Sequence, residues 1–175
     1  EKNPWKIVER IEFKIYPKFT PLHFVGKYRI HTNDKLNLIE KFILDGYNIK
    51  SLDLRWLESL TSIPELPKGL KSLGLNYMNS LTSIPELPKG LQSLKLYNME
   101  SLTSIPELPK GLQKLELNDL ESLTSIPKLP KGLQNLVLKC MKNLASIPEL
   151  PKGLQKLELY RLNSLTYIPE LPKGL

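Results

Sequence analysis

From Ile49 onward, apolar residues fall at seven fixed places in a 21-residue phrase that begins again at Leu70, Leu91, Leu112, Leu133 and Leu154, and once more at Leu175. Numbered from its first residue, the phrase reads L-x-x-L-x-L-x-x-(L/M)-x-S-L-T-S-I-P-E-L-P-K-G. Positions 4 and 6, such as Leu73 and Leu75, alternate with polar neighbours as in a short strand buried on one face, so positions 3, 5 and 7 point outward. Two prolines per phrase fix φ and remove backbone donors, which excludes a helix or central strand there and predicts an extended, polyproline-like return. The glycine ending each phrase, Gly69 to Gly174, supplies the turn into the next strand. A leucine-based period of about 20 to 30 residues is the mark of a solenoid, whose units cannot bury their own cores and must stack. The fold class expected is a leucine-rich repeat solenoid of the horseshoe type, with a parallel β-sheet on the concave face and extended segments on the convex side.

Residues 1–48 do not follow the period. Ile11, Phe13 and Ile15 alternate with Glu12, Lys14 and Tyr16 as in a strand, and Phe24 to Ile30 is its expected hairpin partner across the Pro17 to Pro21 turn. Asn33 or Asp34 can cap a helix over 34–45, with Leu36, Ile39, Phe42 and Ile43 on one face and Gly46 beyond its end. The chain thus divides into a capping segment, 1–48, and six repeats with the start of a seventh, 49–175. An alternative is that 1–48 is the tail of an upstream domain. Glu1 is not a methionine and Leu175 opens a phrase with no polar cap after it, so the chain reads as part of a longer protein.

A net charge of +7 raises the question of nucleic acid. Its distribution argues against that partner. Each repeat carries Lys at position 20 and, except for Lys128, Glu at position 17, which makes adjacent columns of opposite sign instead of one basic stripe. No apolar run approaches the roughly 20 residues of a membrane span. Cys140 is the single cysteine, so there is no disulfide framework, and a reducing compartment is expected.

Six copies of one unit also allow internal comparison. Positions 11 to 21 barely change, the departures being Lys128, Asn143, Ala145 and Tyr167. Position 5 runs Asp53, Gly74, Lys95, Glu116, Val137, Glu158; position 7 runs Arg55, Asn76, Tyr97, Asn118, Lys139, Tyr160; position 8 runs Trp56, Tyr77, Asn98, Asp119, Cys140, Arg161. Variation gathers where a partner can touch and spares the scaffold. Interface hot spots favour Trp, Tyr and Arg, which singles out Arg55, Trp56, Tyr77, Tyr97, Tyr160 and Arg161, with Asp53, Lys95, Glu116, Lys139 and Glu158 supplying charge complementarity. The bland reading of each aromatic is a cover over its neighbour's apolar edge.

Catalytic constellations are nearly absent. His23 and His31 are the only histidines and lie outside the repeats; Cys140 could act as a nucleophile only with an activating base nearby, and its flanks, Lys139 and Met141, favour a structural or half-exposed thiol. The Pro-Lys-Gly-Leu steps lack phosphate-loop spacing, no metal-ligand cluster appears, and carboxylates of the sheet come one per rung, not as a convergent pair. No enzyme activity and no cofactor are expected.

The phrase Leu-Thr-Ser-Ile-Pro-Glu-Leu-Pro-Lys-Gly-Leu resembles the leucine-rich repeats of secreted bacterial effectors of the YopM and IpaH type, whose units read L-x-x-L-P-x-L-P-x-x-L; the likeness covers 49–175. That resemblance implies repeats delivered by a bacterium into the host cytoplasm, where they bind host proteins and in some members present them to an attached ubiquitin-ligase domain. The family's unit is mostly 20 residues with Asn at position 9. Here it is 21, with Leu57, Met78, Met99, Leu120, Met141 and Leu162 at that place, a feature shared with repeats of plant intracellular immune receptors. No ligase domain is present in these residues. The function expected is a non-enzymatic module gripping a host or bacterial protein on the concave face. The alternatives are the substrate-recognition part of a ligase whose catalytic domain lies elsewhere, and a surface adhesin or structural spacer. Neither the partner nor the oligomeric state follows from the sequence.

Overall fold

A computed structural model describes three short strands in the first 49 residues and every residue from Lys50 to Leu175. The chain forms a parallel β-solenoid with 21-residue turns. Strands β1 (Ile11–Lys14), β2 (Leu22–His23) and β3 (Arg29–Ile30) precede six five-residue strands: β4 (Ser51–Arg55), β5 (Ser72–Asn76), β6 (Ser93–Tyr97), β7 (Lys114–Asn118), β8 (Asn135–Lys139) and β9 (Lys156–Tyr160). The last six start at the same position of each phrase and pair in parallel with no register shift, Leu52 beside Leu73, Leu94, Leu115, Leu136 and Leu157.

The alternation of each strand sends positions 4 and 6 beneath the sheet. From Leu73 to Leu138 every one of these leucines is fully buried. Position 1 (Leu70 to Leu133), position 9 (Met78 to Met141) and position 12 (Leu81 to Leu144) are equally dry, while the isoleucines and leucines of the return, such as Ile84 and Leu87, keep a little exposure. Each column is a stack of like apolar side chains one strand spacing apart, about 4.8 Å. Burial of these columns is the main stabilising term, and it is shared between neighbours, so no single turn owns its core.

Small polar groups hold the return in register. Leu70 N–H donates to the Pro67 carbonyl at 3.0 Å, closing the Pro-Lys-Gly-Leu turn, and the same bond recurs through Leu154 to Pro151. Among the described glycines only Gly174 has a positive φ, so the turn itself forms without the special freedom of glycine in the earlier repeats. On the opposite edge, Ser122 Oγ donates to the Glu100 carbonyl at 2.5 Å and Asn143 Nδ2 to the Glu121 carbonyl at 2.8 Å. Asn143 replaces the usual serine because either side chain can donate to the turn before it.

Two findings differ from the expected arrangement. First, β1 does not pair with β3: it lies parallel beside β4, Ile11 opposite Leu52 and Phe13 opposite Leu54, and so extends the main sheet to seven strands. The Ile11/Phe13 alternation has the same period as the leucines and enters the same ladder. The antiparallel pair is instead β2 with β3, Leu22 opposite Ile30. The helix expected over 34–45 lies outside the described residues, among which there is no helix; none is therefore long and apolar enough to cross a membrane. Second, the residue at position 8 of every turn has a left-handed backbone.

Candidate binding face

The left-handed residues are Trp56, Tyr77, Asn98, Asp119, Cys140 and Arg161, with φ between 50° and 63°. Their conformation turns the chain off the sheet so that the next side chain, Leu57 through Met141, drops into the core. Each such turn is fixed by one more ladder bond: the N–H of Trp56 donates to the Asn76 carbonyl at 2.9 Å, and Tyr77, Asn98, Asp119 and Cys140 repeat it on the following strand. Asn and Asp tolerate this region, whereas other side chains crowd the following carbonyl there. Because every turn has it, the conformation is a device of the solenoid, not local strain at one site. Its sequence signal was weak, since only Asn98 and Asp119 hinted at it.

Position 8 forms a rim along the sheet. Trp56 stacks on Tyr77 with ring centroids 3.7 Å apart, and Trp56 also packs against the leucine core. At the far end the Arg161 guanidinium lies 5.1 Å from the Tyr160 ring centre. Here the cover-over-a-neighbour reading describes Trp56 well. Cys140 is half-buried, with a free thiol.

The open face of the sheet carries positions 3, 5 and 7, and its charges are mutually engaged. Arg55 grips Asp53 through two bonds, Nε to Oδ1 at 2.9 Å and a terminal nitrogen to Oδ2 at 2.6 Å. Glu116 is the hub of the middle: Lys114 reaches Oε1 at 2.6 Å, Lys95 approaches Oε2 at 3.4 Å, and the Tyr97 hydroxyl donates to Oε2. Glu158 is held by Lys139 at 2.5 Å and by Lys156 at 2.6 Å. Lys114 and Lys156 come from position 3, which the sequence reading left out although it shares the face.

These contacts set the protonation of the acids. For Glu116, burial favours the neutral form, but bonds from Lys114 and Tyr97 outweigh it and the carboxyl is held below its ordinary value. Lys139, then Lys156, draw Glu158 down to about 2. Tyr97 is pushed up, first by burial and then by its bond to Glu116. Glu116 and Glu158 are thus held ionised near neutrality, and positions 3, 5 and 7 together carry five basic side chains against three acidic ones.

Two hollows interrupt it. One, of about 340 Å³, opens over Gly74 between Asp53 and Arg55 on one side and Lys95 and Tyr97 on the other. The second, also about 340 Å³, lies over Val137, flanked by Glu116, Lys139, Lys156 and Glu158. Val137 faces outward yet is only 9% exposed, because these longer neighbours lean over it. The structure thus brings Asp53, Arg55, Lys95, Tyr97, Glu116, Lys139, Glu158 and Tyr160 onto one surface, and sets Trp56, Tyr77 and Arg161 along its rim. No group of three or more potential metal ligands occurs among the described residues.

No protein-family model matches the chain, and comparison with curated proteins finds no match. Its functional reading rests on the geometry of this face.

Proposed function

We propose that the chain is a non-enzymatic protein-binding module that uses the open, concave face of its sheet, as leucine-rich repeats of secreted bacterial effectors do. One observation carries the reading: side chains that differ from turn to turn, Asp53 to Glu158 at position 5 and Arg55 to Tyr160 at position 7, share one accessible surface, while the columns beneath are uniform. A spacer has no need of this division. Partner contact through exposed, ion-paired side chains and Tyr97 or Tyr160 also fits the chemistry of protein interfaces, which combine aromatic anchors with a charged surround. The effector resemblance of the Leu-Pro-Lys-Gly phrase makes the partner a host protein or another bacterial protein.

The test is capture from host-cell lysate by the wild type, by a variant carrying Tyr97→Ala, Lys139→Ala and Tyr160→Ala, and by a return-side control carrying Lys89→Ala and Lys131→Ala. The reading requires that specific partners be lost with the first variant and kept with the second. Equal recovery by both variants, or loss only with the control, contradicts it.

A further inference from the structure

We propose that the hollow over Gly74 is an anchor for a carboxylate side chain of an acidic segment of the protein partner. The proposal deepens the open-face reading and rests on it.

Position 5 bears a side chain in every other described strand of the repeats: Asp53, Lys95, Glu116, Val137 and Glu158. Gly74 alone leaves a gap, with Asp53 and Lys95 as its register partners on the two flanking strands. Glycine weakens a strand interior and marks places where another group approaches closely. Its backbone does not require glycine here, since φ is not positive. An added Cβ would meet Asp53 Oδ1 at 3.1 Å and Cγ at 3.2 Å, so any side chain here requires the carboxylate held by Arg55 to give way.

The walls select the charge of the occupant. Arg55 and Lys95 contribute two cations and Asp53 one carboxylate, and that carboxylate already receives both of its oxygens' bonds from Arg55. Lys95 is the most loosely committed cation of the pair. Its contact with Glu116 is 3.4 Å, whereas Glu116 is held closer by Lys114, at 2.6 Å, and by the Tyr97 hydroxyl. Lys95 can therefore turn its three donors toward an incoming acid while Glu116 remains satisfied. A basic occupant would meet Arg55 and Lys95 at close range, and an apolar one would strip water from these charged walls without replacing it. A carboxylate matches the excess of positive charge on these walls.

The experiment is selection of random dodecapeptides on the full chain, followed by affinity measurements with one selected peptide. The wild type is compared with Gly74→Val, which copies the residue found at Val137 and improves strand propensity, and with Lys95→Gln. Selected sequences are expected to be rich in Asp and Glu. Each substitution should weaken binding by about tenfold or more, Lys95→Gln without lowering the melting temperature, and changing the peptide's key acid to its amide should do the same. Three outcomes overturn the anchor: no acidic sequences are selected, acidic peptides bind Gly74→Val as they bind wild type, or a polyuridine RNA displaces them through the same residues. Peptides that ignore Gly74→Val yet are lost with Tyr97→Ala and Tyr160→Ala would remove the anchor and leave the open-face reading standing. Peptides indifferent to all of these changes would remove both.

Discussion

The rings of Trp56 and Tyr77 lie face to face, 3.7 Å between centroids and 7° from parallel, because both occupy the left-handed position of consecutive turns. The stack is thus a product of the period itself: identical backbone geometry on adjacent rungs aims the two rings the same way. A double-mutant cycle of Trp56→Ala and Tyr77→Ala should give a coupling energy of roughly 0.5–1.5 kcal/mol in chemical denaturation. Additive effects would mean that the rings do not meet in solution.

The left-handed backbone makes a second, opposite pair of predictions. Cys140→Asn, which suits φ near 50° better, should raise stability by about 0.5 kcal/mol, and Asn98→Val should lower it by roughly 1–2 kcal/mol because a β-branched residue crowds the following carbonyl. Urea midpoints measure both. Equal small losses at the two sites would place position 8 in an ordinary strand conformation.

Acid should loosen the face before neutral pH chemistry changes at all. Glu158 titrates at about 2 in the folded chain and near ~4.3 when unfolded, so the unfolded state takes up the proton first as pH falls. The stabilisation is complete above roughly pH 5 and is lost progressively as pH falls from there through 2. Glu116 is shifted in the same direction and adds to the slope. Stability measured from pH 5 down should therefore decline less steeply in Glu158→Gln than in the wild type; identical slopes would mean that the Lys139 and Lys156 contacts do not form.

At the alkaline end the sign reverses. Folded Tyr97 keeps its proton above the ordinary tyrosine range, so its contribution is present below about pH 10 and fades as the unfolded chain ionises above it. Ultraviolet titration of tyrosinate, wild type minus Tyr97→Phe, should place the Tyr97 contribution above the ordinary tyrosine range, and Glu116→Gln should bring it back toward that range.

The leucine columns were readable from the sequence because burial imposes two periods at once, 2 within the strand and 21 between turns, and each of Leu73, Leu94 and Leu115 obeys both. Pairing of β1 with β4 was not readable, because a parallel partner separated by a long connection leaves no turn signal, and the local Pro17 to Pro21 segment suggested a hairpin. The left-handed backbone at position 8 was not readable, although Trp56, Tyr77 and Arg161 were singled out there as contact residues, since Trp56, Tyr77, Cys140 and Arg161 are residues that normally avoid a positive φ. The mutual pairing of charges was half visible: Lys114 and Glu116 share a face two residues apart, but the approach of Lys95 and Tyr97 to the same carboxylate depends on neighbouring strands.

Everything functional depends on the turns being stacked without slip. Spin labels at Ser51→Cys and Lys156→Cys, in a Cys140→Ser background, sit on β4 and β9, five strand spacings apart. Pulsed electron spin resonance should return one narrow distance distribution centred near about 24 Å. A broad distribution centred near roughly 55 Å, as for a flexible chain of that length, would contradict the stacked sheet and the binding face built on it.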